Sequence, residues 1–572
     1  MRHHKRARCR PPEGACGHAD GMHVTKPSIT TPTLRLHVAI ALTFVALTVL
    51  VTYPQVRGFA TSVPYHSDPY FSMWRLGWVA HALRTNPRGL FDANIFYPAD
   101  NTLAYSDAML LPGVALAPLF WAGMHPVIIY NAALFTAFAL SGHATFLLAR
   151  RLTGSVAAAM VAGVIYAFAP YRFTHYTHLE LQLVFWVPFA LLLLHRILAD
   201  GRVRDGVLLG LTVAGQLLSC IYVGIFSLAY LTVLVPVLLV STGVRQARRL
   251  LVPTLVAALL TIVIVAPYAL VYMRTERSVG ARSVGEIRVY SASTASYLSA
   301  PAMNRLYGWT AITDPLRADE LNLFPGIAAV ALALLGVLGG RGRVKFAYLA
   351  GLAFTVEMTR GSSSSVYLWL FEHVRAFQAL RSPARIDILV NLSLAVLSAY
   401  GVAFLLARIG HRTWSTLTGA SLVALLVAEY ASAPLIAPAP AVSRVDKLLS
   451  QRPAAIIVEL PLTSPRGVWG SFDWLYMYQG MSHFQKMLNG YSGHAPAAFY
   501  QMRETMASFP DDRSLTFLRD QRVDYVVVRA GLYEPEERTL LLEQIDKRSE
   551  LSLHAMWMDG QQGAEAIYVL KK

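Results

Sequence analysis

Long runs of apolar residues separated by short polar connections dominate the chain up to about position 435. Runs of about 15 to 23 residues are long enough to cross, or nearly cross, the hydrocarbon core of a bilayer as helices. They lie at 34–54, 127–149, 156–171, 181–197, 206–221, 223–243, 250–272, 323–339, 344–358, 386–407 and 414–434. The pattern predicts an α-helical polytopic membrane protein with about eleven transmembrane helices.

A further apolar run at 108–124 is short and contains Pro112 and Pro118, which favours a juxtamembrane or re-entrant helix over a span. The basic residues support this choice. With eleven spans and a cytoplasmic N-terminus, every short cytoplasmic connection is basic, as the positive-inside rule requires. The basic clusters stand at 150–151, 195–204, 245–249, 341–345 and 408–412. An odd number of spans places the C-terminal region outside the cytoplasm.

The same pattern divides the chain into three parts. Residues 1–33 are polar and basic, and we expect a disordered cytoplasmic tail there. Residues 34–435 form the transmembrane domain, with a long first outer loop at 55–126. Residues 436–572 form an extracytoplasmic domain.

That last domain opens with a Pro-rich linker and has two β-like runs, at 455–461 and 525–528. The segment between them, 496–520, has a helical pattern. This alternation predicts a small C-terminal α/β domain.

The amino-acid composition limits the classes of function that are compatible with this chain. The chain is 55% hydrophobic and 15% charged, and its formal net charge is +16. In a membrane protein, an excess of basic residues can reflect the orientation of the chain, because basic loops stay on the cytoplasmic side, or the binding of a phosphate-bearing substrate. Three cysteines give no disulfide framework or metal motif. Neither GxGxxG after a strand nor a P-loop occurs, and nothing in the pattern indicates nucleic-acid binding.

The first outer loop carries the most informative polar residues. Asp68 is followed by Pro69 and Tyr70, and a carboxylate near the membrane surface suits a general base beside a lipid-borne substrate. Interfacial anchoring explains the tryptophans of this loop, but it does not explain its carboxylates and amide. We therefore take Asp68 as a catalytic candidate, and Tyr70, Asn94 and Asp107 as candidates for the acceptor cavity.

The second outer segment, 170–180, places Arg172, His175, His178 and Glu180 between two apolar runs. Polar groups at such a boundary are costly unless partnered, so they predict a cavity. The two histidines and the glutamate could also hold a divalent metal, although no fourth ligand is evident. Surface snorkelling is the alternative.

Two later outer segments, 273–322 and 359–385, are rich in arginine. Arginine binds phosphate bidentately, so a lipid phosphate or diphosphate is a suitable partner. Contact with anionic headgroups is the alternative. The candidates for the donor phosphate are Arg172, Arg282, Arg288, Arg381 and Arg385.

The first loop reads Asp68-Pro69 and then Trp74, Asn94-Ile95-Phe96-Tyr97-Pro98, and Tyr105-Ser106-Asp107. With the basic turn Leu148–Gly154, this arrangement resembles the GT-C superfamily of membrane glycosyltransferases, which includes protein O-mannosyltransferases and lipid A aminoarabinose transferases. It also resembles a group of large bacterial membrane proteins.

The resemblance implies a multi-pass protein of the bacterial inner membrane. It implies inverting transfer of a sugar from a polyprenyl-phosphate donor to an acceptor hydroxyl on the extracytoplasmic side, with membrane lipid as a further partner. By position, Asp68 would be the general base, and His175, His178 or Glu180 would lie near a second acidic position. The usual Asp-Glu or Asp-x-Asp pair is absent, because Pro69 and Tyr70 follow Asp68, and metal dependence therefore stays open.

Two other functions remain as alternatives. A lipid or polysaccharide transporter would also need many spans, but it predicts ionisable residues at mid-membrane depth or broken helices in two matching halves. A non-enzymatic scaffold would bind a partner through the outer domain. If that domain folds over the membrane part, Glu459, Asn489, Tyr491 and His494 are candidates to face the cavity.

Overall fold

The computed structural model describes residues 34–242, 247–463, 471–559 and 563–571. The expected N-terminal tail, residues 1–33, lies outside the described residues, as does Arg245 of the third basic connection.

The membrane part is built from helices that follow the apolar runs. They are α1 Leu34–Val51, α2 Asp68–Thr85, α3 Leu110–Trp121, α4 Pro126–Thr153, α5 Val156–Phe168, α6 Pro170–Thr174, α7 Leu179–Gln182, α8 Trp186–Asp200, α9 Val203–Ser219, α10 Ile221–Thr242, α11 Ala247–Val279, α12 Val284–Val289, α13 Thr294–Leu298, α14 Ile327–Gly339, α15 Lys345–Thr359, α16 Ser365–His373, α17 Arg375–Gln378, α18 Asp387–Ile409 and α19 Arg412–Glu429. Short 3-10 turns lie at Gln55–Gly58, Pro87–Gly89, Thr102–Tyr105, Gly308–Thr310, Gly361–Ser363 and Pro383–Ile386.

Within the described residues, seven helical stretches are long and apolar enough to cross a membrane: Leu34–Val51, Pro126–Thr153, Val156–Thr174, Leu179–Asp200, Ile221–Ser241, Arg248–Val279 and Pro383–Ile409. This confirms a multi-pass helical membrane protein. The other four predicted spans correspond to the helices α9, α14, α15 and α19, so the number of eleven stays a prediction. The run at 108–124 forms the short helix α3, as its length and prolines indicated.

The first outer loop contains an 18-residue helix, α2, that hydropathy did not single out. Pro69 lies in the first turn of α2, where a proline removes no helical hydrogen bond. The negative charge of Asp68 is favourable there because it lies at the positive end of the helix dipole. Most side chains of α2 are buried, because the membrane part contacts one side and the C-terminal domain contacts another.

The C-terminal region is the predicted α/β domain. Its elements are the strands β2 Ile436–Pro438, β3 Ile456–Leu460, β4 Lys486–Met487, β5 Tyr525–Val528, β6 Leu551–Asp559 and β7 Gly563–Leu570, the helices α20 Arg444–Leu449, α21 Asp473–Gly480, α22 Ala497–Met506, α23 Asp512–Asp520 and α24 Pro535–Asp546, and a 3-10 turn Ala530–Leu532. The sheet order is β4-β3-β5-β7-β6, with β3 parallel to β4 and β5, and with β7 antiparallel to β5 and β6. The two predicted strands are β3 and β5.

A buried charge cluster lies inside this domain. The Arg529 guanidinium donates to Glu459 at 2.8 Å, to Glu565 at 2.7 Å and to Asp446 at 3.0 Å. The side chains of Arg529 and Glu459 are almost fully buried. Removing the guanidinium would leave several carboxylates uncompensated, so this arginine is needed for the fold.

The C-terminal domain and the first loop are joined through their backbones. The strand β1, Ser62–Pro64, pairs with β2 in antiparallel register, so the expected Pro-rich linker begins with a strand. Phe96 N donates to Asn489 O at 2.9 Å, and Met487 N donates to Asn94 O at 2.8 Å. The loop therefore extends the edge of the C-terminal sheet.

Close packing of α14 against α18 stabilises the membrane part. A methyl group on Gly336 would collide with the carbonyl oxygen of Leu397, and one on Gly401 would collide with that of Leu332. Small residues that allow helix backbones to approach closely are typical of membrane helix interfaces.

Candidate functional site

Asp68 lies where the first loop, the second outer segment and the C-terminal domain meet. Tyr491 donates its hydroxyl hydrogen to Oδ1 of Asp68 at 2.9 Å. On the other oxygen, Oδ2, Nε2 of His178 lies at 3.0 Å and Nδ1 of His66 at 3.2 Å. The Asp68 side chain is 14% exposed, so this carboxylate is held on both oxygens and is still reachable.

The charges around Asp68 keep it ionised. Burial alone would raise the pKa of Asp68, but the imidazoles of His178 and His66 hold that pKa well below its usual range. Burial would lower the pKa of His178, and the Asp68 carboxylate raises it instead. Asp68 also begins the helix α2, whose N-terminus favours an anion. Asp68 and His178 therefore favour each other's charged forms.

Arg75 connects two of the predicted cavity residues. It lies seven residues after Asp68 on α2, is nearly fully buried, and forms an ion pair with Glu180 at 2.7 Å. Its guanidinium also donates to the carbonyl oxygen of Asp107 at 2.8 Å. Burial raises the pKa of Asp107 to about 7, with Glu180 adding to the rise and Arg75 opposing it.

A second buried ion pair lies beside the histidines. Arg385 pairs with Glu320, which also accepts a hydrogen bond from Ser382 at 2.8 Å. The Nε2 of His175 lies 3.8 Å from the Glu320 carboxylate. Burial lowers the pKa of His175 to about 3, so its ring is neutral and forms no ion pair with Glu320. The rings of His175 and His178 lie 5.4 Å apart.

The predicted phosphate-binding arginines fall into two groups. Arg172 is fully buried and donates to Gln182 at 2.6 Å, and Arg385 is paired with Glu320, so both brace the outer segments. Arg282 and Arg381 instead lie near the segment that contains Tyr491. Arg288 is exposed on α12.

The guanidinium of Arg282 donates to the carbonyl oxygen of Gly493 at 2.7 Å and to Glu286 at 3.1 Å. Its Nε–H is buried without a hydrogen-bond partner among the described residues. Arg381 lies over the ring of Tyr290, 5.5 Å from its centroid. Burial, together with the charges of Arg282 and Arg381, lowers the pKa of His494 to about 4. This region therefore carries a net positive field.

Two predicted cavity residues are used for docking instead. Tyr70 packs its ring against Trp474 and Tyr478 of the C-terminal domain, with centroids 4.8 and 5.1 Å away. The amide of Asn94 accepts from the Trp74 indole at 3.1 Å and donates to Gln485 O at 3.0 Å. Both residues thus hold the first loop against that domain.

The predicted metal ligands are not gathered into a site. His178 pairs with Asp68, and Glu180 pairs with Arg75. Over the part of the chain that the structure describes, no three His, Cys, Asp or Glu side chains come together as a metal site. Of the four C-terminal candidates, Tyr491 reaches Asp68, His494 lies in the positive region, and Glu459 and Asn489 lie inside their own domain.

Sequence reasoning did not single out Arg75, His66 or Glu320 as site residues. Arg75 follows Asp68 by two helical turns, so a helical reading of 68–85 would have placed both on one face. His66 is next to Ser67 in the same polar run. Glu320 had no local signal, because its partner Arg385 is 65 residues away.

No family model matches the chain, and no curated protein matches it. Among solved structures, the chain is similar to the crystal structure of ArnT from Cupriavidus metallidurans bound to undecaprenyl phosphate. The TM-score is 0.45 and the identity 12%, over 93% of this chain and 97% of that one. At this TM-score and identity, the likeness supports no conclusion about activity.

Proposed function

We propose that the chain is a membrane glycosyltransferase of the bacterial inner membrane that uses a polyprenyl-phosphate-linked sugar and acts on the extracytoplasmic side. The observation that carries the proposal is an ionised, partly exposed carboxylate, Asp68, that accepts from Tyr491, while Arg282 binds the same segment two residues further along, at Gly493 O. An acid–base group and an anion site side by side are what transfer from a phosphate leaving group requires.

Asp68 is the proton acceptor in this proposal. Its Oδ1 now takes a hydrogen bond from Tyr491, so an acceptor hydroxyl binds by taking or sharing that position. A carboxylate with a low pKa is a weak base, and it accepts the proton late, when formation of the glycosidic bond has already made the hydroxyl of the acceptor acidic. His178 lies 3.0 Å from the other oxygen, Oδ2, which leaves Oδ1 as the oxygen that takes the proton.

Arg282 and Arg381 bind the donor phosphate. The Nε–H of Arg282 has no hydrogen-bond partner among the residues that the structure describes, and the guanidinium of Arg381 lies over the ring of Tyr290. Because the phosphate gains negative charge as the sugar leaves, a preformed positive region lowers the barrier. Arg288 follows Arg282 closely in the sequence and is exposed, so its charge attracts an anionic lipid towards the site.

The reaction balances without a further reactant. The acceptor oxygen attacks the anomeric carbon and forms the glycosidic bond, the bond from that carbon to the phosphate oxygen breaks, and the electron pair leaves with polyprenyl phosphate. The hydroxyl proton passes to Asp68. A single displacement inverts the configuration at the anomeric carbon.

The test uses the full chain, purified and reconstituted in nanodiscs with a panel of undecaprenyl-phosphate-linked pentoses and hexoses and an acceptor lipid extract. Two quantities are measured: free undecaprenyl phosphate by mass spectrometry, and the anomeric configuration of the product by NMR. We expect release with one sugar class, with inversion, and none from Asp68→Asn. Asp100→Asn, an exposed aspartate of the same loop, is the matched control and keeps full activity. Retention of configuration, or equal activity in both variants, would contradict the proposal.

A further inference from the structure

A cavity lies near the C-terminal end of α2, at the opposite end of the helix from Asp68. It is a cleft of about 440 Å³ between the last turns of α2, the end of α3 and the C-terminal segment 478–484. Its lining starts at Gly77, where a side chain would collide with Met481, so the C-terminal segment approaches the helix closely there. His81 and Asp68 are 13 residues apart, which puts them about 20 Å apart along the helix.

The polar groups of the cleft are all neutral or cationic. His81, Arg84 and His125 line it together with Thr85 and Ser482, and none of the described lining residues is acidic. Arg84 is exposed in the last turn of α2. Burial lowers the pKa of His81, so its ring is neutral and can donate a hydrogen bond.

The other walls are aromatic and fix the shape of the cleft. The ring of His81 stacks on Phe484 at 4.3 Å. The indole of Trp121 donates to Ala80 O at 2.9 Å, which ties the end of α3 to α2. The charged side chain of Arg84 and several aromatic rings thus line the same cleft, as expected for a site that binds an amphipathic ligand.

The rim of the cleft is suited to contact with lipid. The side chains of Trp121 and Met124, which line the cleft at the end of the apolar helix α3 and just after it, are 47% and 38% exposed. Tryptophan at the level of the headgroups is typical of the membrane interface. A ligand in the cleft can therefore extend its chains along α3 while its headgroup meets Arg84.

We propose that this cleft binds one anionic phospholipid of the bilayer, with the headgroup phosphate against Arg84 and His81 and the acyl chains along Trp121. The charge of the lining selects an anionic headgroup over a zwitterionic one. Because the segment 478–484 forms one wall, the bound lipid also holds the C-terminal domain to the membrane surface. This inference does not depend on the proposed transferase activity.

The experiment is native mass spectrometry of the full chain, purified in a non-ionic detergent and titrated with phosphatidylglycerol or phosphatidylcholine. The wild-type protein is expected to retain one phosphatidylglycerol and no phosphatidylcholine under equal conditions. Arg84→Ala should weaken phosphatidylglycerol binding about fivefold, and Ser482→Trp, at an exposed position, should fill the cleft and abolish binding. Arg88→Ala, an exposed arginine one turn further along the chain, is the matched control and should bind as the wild type does.

Three results would overturn the inference. Equal weakening in Arg84→Ala and Arg88→Ala would mean general surface attraction. Equal retention of the two lipids would mean that the cleft does not distinguish an anionic headgroup from a zwitterionic one. Displacement of the bound lipid by millimolar inorganic phosphate would mean that the cleft is a phosphate site in which acyl chains play no part.

Discussion

Tyr491→Phe is the substitution that best tests how the C-terminal domain is held at the site. The Tyr491 hydroxyl donates to the ionised Asp68 carboxylate at 2.9 Å, and such a charge-assisted bond contributes about 1.5–3 kcal/mol. The phenylalanine ring would keep its edge-on contact with Phe71, whose centroid is 5.3 Å away. Water can reach Asp68, which is 14% exposed, so the loss should fall at the lower end of that range.

A loss of about 1.5 kcal/mol corresponds to a roughly tenfold increase in opening of the segment 486–496. The assay is amide hydrogen exchange by mass spectrometry on the peptide that covers this segment. Tyr500→Phe is the control, because Tyr500 is 61% exposed. Exchange in Tyr491→Phe that equals exchange in Tyr500→Phe would refute the idea that this hydrogen bond holds the domain over Asp68.

Three further predictions concern stability in detergent, measured as the midpoint of thermal unfolding. Arg529→Met should destabilise the C-terminal domain by about 3–5 kcal/mol, because it leaves buried carboxylates unpaired, whereas the exposed Arg513→Met should change little. Gly336→Ala should cost about 3 kcal/mol by forcing two helix backbones apart, and an unchanged midpoint would mean that the helices can shift freely. The proton that the folded state holds on Asp107, whose pKa is about 7, contributes stability that is lost as pH rises from about 4 to about 7, because the unfolded state does not hold it. Buried His175 and His494, whose pKa values are lowered to about 3 and about 4, act in the opposite direction, so the midpoint of Asp107→Asn should rise more over this pH range than that of the wild type.

The membrane helices were predictable because each is a local apolar run whose length matches a bilayer. The helix α2 was not, because its sequence mixes aromatic, polar and small residues and has no apolar stripe; it is buried on nearly all sides. In the C-terminal domain, β3 and β5 are short runs of β-branched residues and were predicted. The long hairpin of β6 and β7 was missed, since polar residues interrupt its strands.

The candidate site was predicted only in part for a related reason. Asp68, His178 and Glu180 stand out locally, because polar groups beside apolar runs need an explanation. The pairing of Asp68 with Tyr491 joins positions 423 residues apart, and no pattern within either segment specifies it. Likewise, Arg172 looks like a phosphate ligand in sequence, but the fold buries it against Gln182.

The measurement that tests the central claim most directly is the single-turnover rate of donor consumption by Asp68→Asn, with the protein saturated with its lipid-linked donor and acceptor. Asparagine keeps the size of the side chain and removes its ability to accept the proton, so the rate should fall at least about hundredfold. Unchanged exchange protection in the strand β5, Tyr525–Val528, which lies in the C-terminal sheet away from the Tyr491–Asp68 hydrogen bond, would establish that the variant is folded. A folded Asp68→Asn protein that consumes donor within about threefold of the wild-type rate would contradict the assignment of Asp68 as the base.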